Sequence, residues 1–179
     1  MLKHLYLLGF MGCGKSTVGP ILAARMNRPF TDLDELVEKE QQMTIREIFA
    51  LRGEAFFRKL ESDLLLISSK LPASVIALGG GTFSYPTNRE VILGTGVAIW
   101  LRISLETARQ RCEQITTRPL ARDEKTFKAL FAEREQYYSL AHLTVDAEWK
   151  SPPQISDEIV QKAANLGFSE SGGGKPASS

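Results

Sequence analysis

Near its start the chain carries a glycine-rich stretch, Gly9-Phe10-Met11-Gly12-Cys13-Gly14-Lys15-Ser16-Thr17. It contains the pattern Gly-x4-Gly-Lys-Ser and lies between an apolar run at 5–8 and a segment with helical spacing. Glycines in such a loop let backbone N–H groups converge on phosphate oxygens, and the following helix N-terminus adds positive potential. The stretch therefore predicts a strand, a phosphate-binding loop and a helix in succession.

Within this loop, Lys15 is expected to reach the β- and γ-phosphates of a nucleotide, and the Ser16 hydroxyl to ligate Mg²⁺. Cys13 leaves two interpretations open. A helix N-terminus can lower the pKa of a thiol, but a small side chain that the loop tolerates is the simpler interpretation. The motif indicates a bound nucleotide and does not name a reaction.

The rest of the chain alternates short apolar runs with longer segments of helical spacing, which predicts a doubly wound α/β sandwich with a largely parallel sheet. The predicted strands are residues 5–8, 30–31, 75–78, 97–101 and 143–145. The predicted helices include residues 18–26, 60–69, 105–112 and 127–138.

Length and composition indicate one soluble domain. The chain has 179 residues, 43% hydrophobic and 24% charged, with a net charge of +1 and two cysteines. No global field favours nucleic acid or an anionic membrane, and the first apolar run is too short for a signal peptide or a membrane span. We expect a cytoplasmic protein with one domain over 1–168, an inserted helical lobe at 33–70, a mobile loop at 114–125 and a disordered tail at 169–179.

The acceptor of the phosphoryl group has to be inferred from other segments. No Asn-Lys-x-Asp sequence of a GTPase switch is present, and the run 75–78 ends in Gly79-Gly80-Gly81 where a motor ATPase carries an acid. Three glycines favour close approach of a ligand over a simple turn. Asp32 and Asp34 follow the predicted second strand, where one acid could act near Mg²⁺ and the other near an acceptor hydroxyl. An acidic helix start is the alternative.

Two arginines suggest an anionic acceptor. Arg58 lies in an apolar helical context, where a guanidinium needs a paired anion, and a separated pair of Arg58 and Arg134 could clamp a carboxylate. Ordinary ion pairs, with Glu133 or Glu135 for Arg134, are the alternative for each arginine taken singly. Arg111 and Arg118 flank the irregular loop and could close over nucleotide phosphates. Trp100 and Trp149 are interpreted as packing residues.

Taken together, these motifs resemble the shikimate kinase family over roughly residues 5–164. The resemblance rests on an ordered set of short segments, since any one of them is only modestly specific. They are the loop 9–19, Asp32-Leu33-Asp34, Ile48-Phe49, Gly53-Glu54, Phe57-Arg58-Lys59-Leu60-Glu61, the triple glycine, Arg118-Pro119-Leu120 and Arg134-Glu135-Gln136-Tyr137-Tyr138.

The resemblance implies a fold of the nucleoside-monophosphate-kinase type, a three-layer α/β/α sandwich with a five-stranded parallel sheet, a helical substrate-binding lobe and a lid. It implies transfer of the γ-phosphoryl group of ATP to the 3-hydroxyl of shikimate, with Mg²⁺, by a monomer. Asp34 would hold and deprotonate that hydroxyl, while Lys15 and Arg118 would act on the phosphates. The implied contacts with shikimate are made by Arg58, Gly80, Gly81, Arg134, Phe49 and Phe57. The implied contacts with nucleotide are made by Gly12, Cys13, Gly14, Ser16 and Thr17, with Arg111 near adenine. Ser16 and Asp32 are the implied metal contacts.

One departure from the family pattern is visible, since the family commonly has a glycine near Gln42 or Met43. Its absence is expected to alter a turn in the lobe without touching the site. Two rivals remain: another small-molecule kinase of the same architecture, such as a gluconate kinase, and a catalytically silent relative that binds nucleotide. Losses at Lys15, Asp34 or Arg58 would mark the silent relative, and none is seen.

Overall fold

A computed structural model describes residues 3–114 and 124–166. The strands are β1 His4–Leu8, β2 Phe30–Asp32, β3 Val75–Ala77, β4 Gly96–Arg102 and β5 Leu143–Asp146. The helices are α1 Lys15–Arg25, α2 Leu33–Gln41, α3 Ile45–Ser68, α4 Pro86–Thr95, α5 Leu105–Gln114, α6 Glu124–Tyr138 and α7 Pro152–Asn165, with a 3-10 turn at Thr82–Ser84.

All strand pairings are parallel, and the five strands stand in the order β2-β3-β1-β4-β5. Strands β1, β3 and most of β4 are buried runs of apolar residues, because helices flank the sheet. The strand order reverses at β1, so the carboxyl end of β1 opens into the crevice where α/β sheets bind ligands. The predicted doubly wound fold is confirmed, including the short second strand.

Two pairs of helices pack against each other. Helix α1 packs on α7, where Arg25 pairs with Asp157. Helix α2 packs on α3, which begins with a capping box formed by Thr44 and Glu47. Helix α3 is interrupted at Gly53, whose φ of 80° and ψ of 168° are not helical. The two helices α2 and α3 occupy most of the predicted lobe, 33–70.

The missing family glycine falls at the end of α2. Gln42 is the C-cap of that helix and takes a left-handed conformation, with φ of 52° and ψ of 35°. A glycine at a helix C-terminus meets this requirement without steric cost, whereas a glutamine is strained there. This turn of the lobe is therefore formed by a residue that fits the left-handed conformation less well than a glycine would.

The interpretation of Trp149 as a packing residue is wrong. Its side chain is 92% exposed, and its φ is 60°. The loop after β5 is held by Glu148, which accepts hydrogen bonds from the Ser104 backbone N–H and hydroxyl and from the Thr107 hydroxyl. This anchoring fixes the path of the loop and leaves the next side chain in solvent.

Candidate active site

The glycine-rich loop connects β1 to α1 in the conformation its glycines allow. Gly9, Gly12 and Gly14 all have positive φ, at 146°, 81° and 98°. Gly14 is the N-cap of α1, and no side chain caps the first turn of that helix. The loop therefore presents backbone N–H groups and the positive end of a helix dipole at the carboxyl end of a central strand, a geometry suited to an anion.

The Lys15 ammonium lies across this loop. Its Nζ donates to the Gly9 carbonyl at 2.9 Å and to the Phe10 carbonyl at 3.5 Å, and it is 3.6 Å from Cys13 Sγ. Cys13 is 1% exposed, so its thiol packs inside the loop as a small side chain would. Thr17 is exposed on the first turn of α1. Lys15 thus places a positive charge at the loop.

Asp32 combines the two interpretations that the sequence left open. Its Oδ1 accepts hydrogen bonds from the backbone N–H groups of Asp34 and Glu35, which makes it the N-cap of α2. Its Oδ2 accepts a hydrogen bond of 2.6 Å from the Ser16 hydroxyl. The carboxylate is buried while Ser16 is exposed, so a hydroxyl and a carboxylate lie together beside the loop.

Asp34 lies one residue into α2 and is half-buried. A Cβ built on Gly79 would lie 2.7 Å from Asp34 Oδ1 and 2.5 Å from Glu61 Oε1. Two carboxylates from different helices therefore approach the first residue of the triple glycine, and only a residue without a side chain fits between them.

Arg58 has the anionic partners that its surroundings demand. Its Nη1 is 3.1 Å from Glu61 Oε2, its Nη2 is 3.2 Å from Glu54 Oε1, and its guanidinium lies 5.0 Å from the centre of the Phe57 ring. Burial by itself lowers the pKa of Arg58. The neighbouring Glu61 carboxylate, with smaller contributions from Tyr85 and Glu54, outweighs burial, so the pKa lies above its usual value. The guanidinium remains charged.

The two arginines of the expected clamp converge on Gly81. A Cβ there would lie 2.9 Å from Arg58 Nη1 and 3.2 Å from Arg134 Nη1. Arg134 donates to the Ser84 hydroxyl at 2.6 Å and to the Gly81 carbonyl at 3.4 Å. Within the described residues no ion pair joins Arg134 to Glu133 or Glu135, so the alternative of an ordinary helix ion pair fails for Arg134. Two cations from α3 and α6 flank one glycine.

Aromatic side chains border the same place. The rings of Phe49 and Phe57 lie 4.8 Å apart, with Phe57 buried and Phe49 half-buried. Arg111 of α5 donates from Nη1 to the Gly12 carbonyl at 2.9 Å, which places this cation against the phosphate-binding loop. Arg118 and most of the segment 114–125 lie outside the described residues, as does the tail at 169–179.

Glu61 is the residue that our sequence reasoning left without a role. It is 0% exposed and accepts hydrogen bonds from Arg58 and, at 2.5 Å, from the Thr82 hydroxyl. A buried carboxylate needs such partners, because an unpaired one is strongly disfavoured. The three-residue spacing from Arg58 along a helix was the available signal.

The described residues contain neither a ready-made metal cluster nor a helix that could span a membrane. No group of three or more His, Cys, Asp or Glu side chains lies close enough to hold a metal ion by itself. No helix there has the length and apolar character needed to cross a membrane.

Comparisons with known proteins agree with one another. The family model described as shikimate kinase matches residues 11–164. A shikimate kinase of Sulfurihydrogenibium sp. is 39% identical over 162 residues, 90% of this chain and 98% of that protein. The solved shikimate kinase from Acinetobacter baumannii in complex with shikimate aligns with a TM-score of 0.87 at 32% identity, covering 93% of this chain and 95% of that one. A gluconokinase from Sinorhizobium meliloti, at 16% identity and a TM-score of 0.62 over 93% of this chain and 97% of its own, shares the fold alone.

Proposed function

The chain belongs to the shikimate kinase family, and we propose on this basis that it transfers the γ-phosphoryl group of ATP to the 3-hydroxyl of shikimate. The observation that carries the proposal is the convergence of Arg58 and Arg134 on Gly81. Asp34 stands at Gly79, two residues before Gly81, and the phosphate-binding loop follows the neighbouring strand. This arrangement supports a carboxylate clamp, a base and a phosphate site at one edge of the sheet.

The acceptor is held by groups of matching charge and shape. The guanidinium groups of Arg58 and Arg134 bind the shikimate carboxylate, because planar forks of N–H donors suit a carboxylate. Gly80 and Gly81 leave room for the ring beside their backbone, and Phe49 and Phe57 form an apolar wall. Asp34 accepts the proton of the hydroxyl that attacks, as in kinases that use an aspartate to orient their acceptor.

The donor is held by the loop from Gly12 to Thr17. Lys15 leaves its contacts with the Gly9 and Phe10 carbonyls to reach the phosphate oxygens and offset the charge that develops on the transferred group. Arg111 lies beside the nucleotide near adenine. The role of Arg118 on the phosphates rests on its match to the family motif.

The residues present fit a magnesium ion. Hydroxyl and carboxylate oxygens are ligands that Mg²⁺ accepts, and it commonly keeps several waters while binding one or two protein groups and substrate phosphates. Ser16 would ligate it directly, and Asp32, 2.6 Å from Ser16 Oγ, would hold a water of its shell. When bound, the ion neutralises charge on the phosphates.

The proposal includes a single kinase domain over 1–168, with the lobe at 33–70 and the lid at 114–125. It also includes a monomer in the cytoplasm. All the site groups described above come from one chain, so no second copy is needed to complete them. Sedimentation of the purified protein with and without shikimate would test the monomer.

The decisive experiment is a coupled assay of ADP release with shikimate, gluconate and nucleoside monophosphates as acceptors. Among these acceptors we expect only shikimate to support ADP release. Mass spectrometry of its product should show one added phosphate. Turnover with gluconate would favour the related sugar-acid kinase. A protein that binds ATP without turnover of any acceptor would be the catalytically silent relative.

A further inference from the structure

Tyr138 is a buried side chain to which the proposed reaction gives no task. It is the last residue of α6 and is 1% exposed. Its hydroxyl donates a hydrogen bond of 2.5 Å to the carbonyl of Gly80. Arg134, one helical turn earlier on the same face, donates to the carbonyl of Gly81 and to Ser84. Helix α6 therefore holds the glycine turn at two successive carbonyls.

The same helix also packs against the phosphate-binding loop. The ring of Phe10 stands edge-on to the rings of Phe127 and Phe131, with centres 5.2 Å and 5.0 Å apart. Burial first, and the neighbouring Cys13 second, raise the pKa of Tyr138 above its ordinary value. The hydroxyl thus stays protonated at working pH and remains a donor. Tyr138 lies between the loop that binds phosphate and the turn that faces the acceptor.

A bond to the Gly80 carbonyl has a directional consequence. The carbonyl of Gly80 and the N–H of Gly81 belong to one planar peptide and point in opposite directions. A donor that fixes the carbonyl therefore fixes the direction of the N–H as well. Glycines carry no side chain that could hold this peptide from within the turn, and they have the greatest conformational freedom of any residue.

We propose that Tyr138 is a positioning residue for the acceptor site, and that its hydroxyl orients the Gly80–Gly81 peptide toward shikimate. The inference rests on the proposed function. It assigns Tyr138 no contact with substrate and no proton transfer. Its effect passes through the glycine turn, so it acts on binding of the acceptor and leaves binding of ATP unchanged.

The test is Tyr138→Phe, which removes the hydroxyl and keeps the ring against Trp100 at 6.0 Å. A buried carbonyl that loses its donor is free to turn, and we expect the KM for shikimate to rise about tenfold. The KM for ATP should change less than about twofold. Calorimetric titration of shikimate without nucleotide should show the same weakening, which a loss of active protein alone would not produce.

Tyr137→Phe is the matched control. It removes a hydroxyl from the adjacent residue of α6, whose ring faces Arg89 at 5.7 Å and not the glycine turn. This variant should have the wild-type KM for shikimate and for ATP. An unchanged shikimate KM in Tyr138→Phe, an equal rise in both KM values, or a lower kcat with unchanged KM values would each overturn the inference.

The wild-type measurement separates the two proposals. If wild-type protein phosphorylates shikimate and Tyr138→Phe does so with the same KM, the proposed function stands and the positioning role fails. If wild-type protein neither binds nor phosphorylates shikimate, the proposed function fails, and the inference that rests on it is overturned too.

Discussion

Asp32 shows how one side chain can serve structure and site together. One oxygen caps α2, and the other accepts the Ser16 hydroxyl beside the phosphate-binding loop. The cap holds the carboxylate in one orientation, since both backbone donors come from the first turn of the helix. The same turn carries Asp34. The two acids therefore take different positions through their places in one helix start.

Asp34→Asn is predicted to lower kcat with shikimate by about a hundredfold to ten-thousandfold, the range for removal of a general base. The amide keeps the shape of the side chain but cannot accept the proton. The melting temperature should stay at the wild-type value, because Asp34 is not the N-cap of α2. Glu35→Gln, at the next and exposed position, is the control. Near-normal turnover of Asp34→Asn in the coupled assay would contradict the role.

Arg58→Ala is predicted to raise the KM for shikimate by about ten- to a hundredfold, which corresponds to the loss of a hydrogen bond between charged groups. The KM for ATP should change much less. It also leaves the buried Glu61 without its cation, so the protein should unfold at a lower temperature.

Arg58→Lys separates these two effects, because lysine keeps the charge near Glu61 but lacks the planar fork. We expect it to recover much of the stability and little of the shikimate affinity. Arg52→Ala, on the exposed part of the same helix, should change neither KM. Equal effects of Arg58→Ala on both substrates would refute the clamp.

Side chains from three helices approach the glycine turn after β3. Asp34 of α2, Arg58 and Glu61 of α3, and Arg134 of α6 all approach it. The Thr82 hydroxyl ties the end of the turn to Glu61, and Asn88 of α4 donates to the Thr82 carbonyl. The turn is thus a meeting point of separate elements, and the absence of side chains there makes the meeting possible.

Gly81→Ala should disturb the site without unfolding the protein. The φ of Gly81 is −102°, which any residue adopts, so only space is at issue. The new methyl group would displace the guanidinium ends of Arg58 and Arg134, whose flexible side chains can move away. We expect a rise in the KM for shikimate of about tenfold, as for one lost charged hydrogen bond.

Gly94→Ala is the matched control for this change. Gly94 lies in α4, and a Cβ there would meet nothing within 4 Å. Alanine should stabilise the helix by about 0.5–1 kcal/mol and leave both KM values as they are. Denaturant unfolding and steady-state kinetics of both variants check the pair. An unaltered shikimate KM in Gly81→Ala would mean that the arginines do not bind the substrate from their observed positions.

A buried histidine lies at the amino-terminal end of the sheet, opposite the site. His4, the first residue of β1, is 4% exposed. Its Nδ1 accepts a hydrogen bond from the Ser74 backbone N–H, and its Nε2 is 3.2 Å from the Ser69 carbonyl. This pairing suits the neutral ring with its proton on Nε2. Burial lowers the pKa of His4 below its ordinary 6.5.

Stability should therefore fall as the pH drops below about 6.5. In that range the unfolded chain binds a proton at His4 that the folded protein excludes, so the free energy of unfolding rises with pH. Thermal unfolding between pH 8 and pH 5 measures the slope. His4→Gln should have a shallower slope, with a remainder from His142, whose pKa burial also lowers. An identical slope in His4→Gln would contradict this account.

Much of the fold could be predicted because its signals are local. Alternating apolar runs and helical segments were enough to predict the parallel sheet, and glycine spacing was enough to predict the loop after β1. The exposed Trp149 was mispredicted, because a lone aromatic residue has no pattern around it. Its exposure depends on Glu148, whose bonds to Ser104 and Thr107 cross more than 40 residues of sequence.

Neighbours along the chain were enough to predict three parts of the site: the phosphate-binding loop, the two aspartates at the start of α2, and the run of three glycines. The three-dimensional structure was needed to show that Arg58 and Arg134 meet at Gly81, that Glu61 is fully buried, and that Tyr138 holds Gly80. The physical reason is that parallel strands bring their carboxyl ends together only after long crossovers. Contacts between α3, α6 and the end of β3 therefore leave no spacing in the sequence from which they could be read.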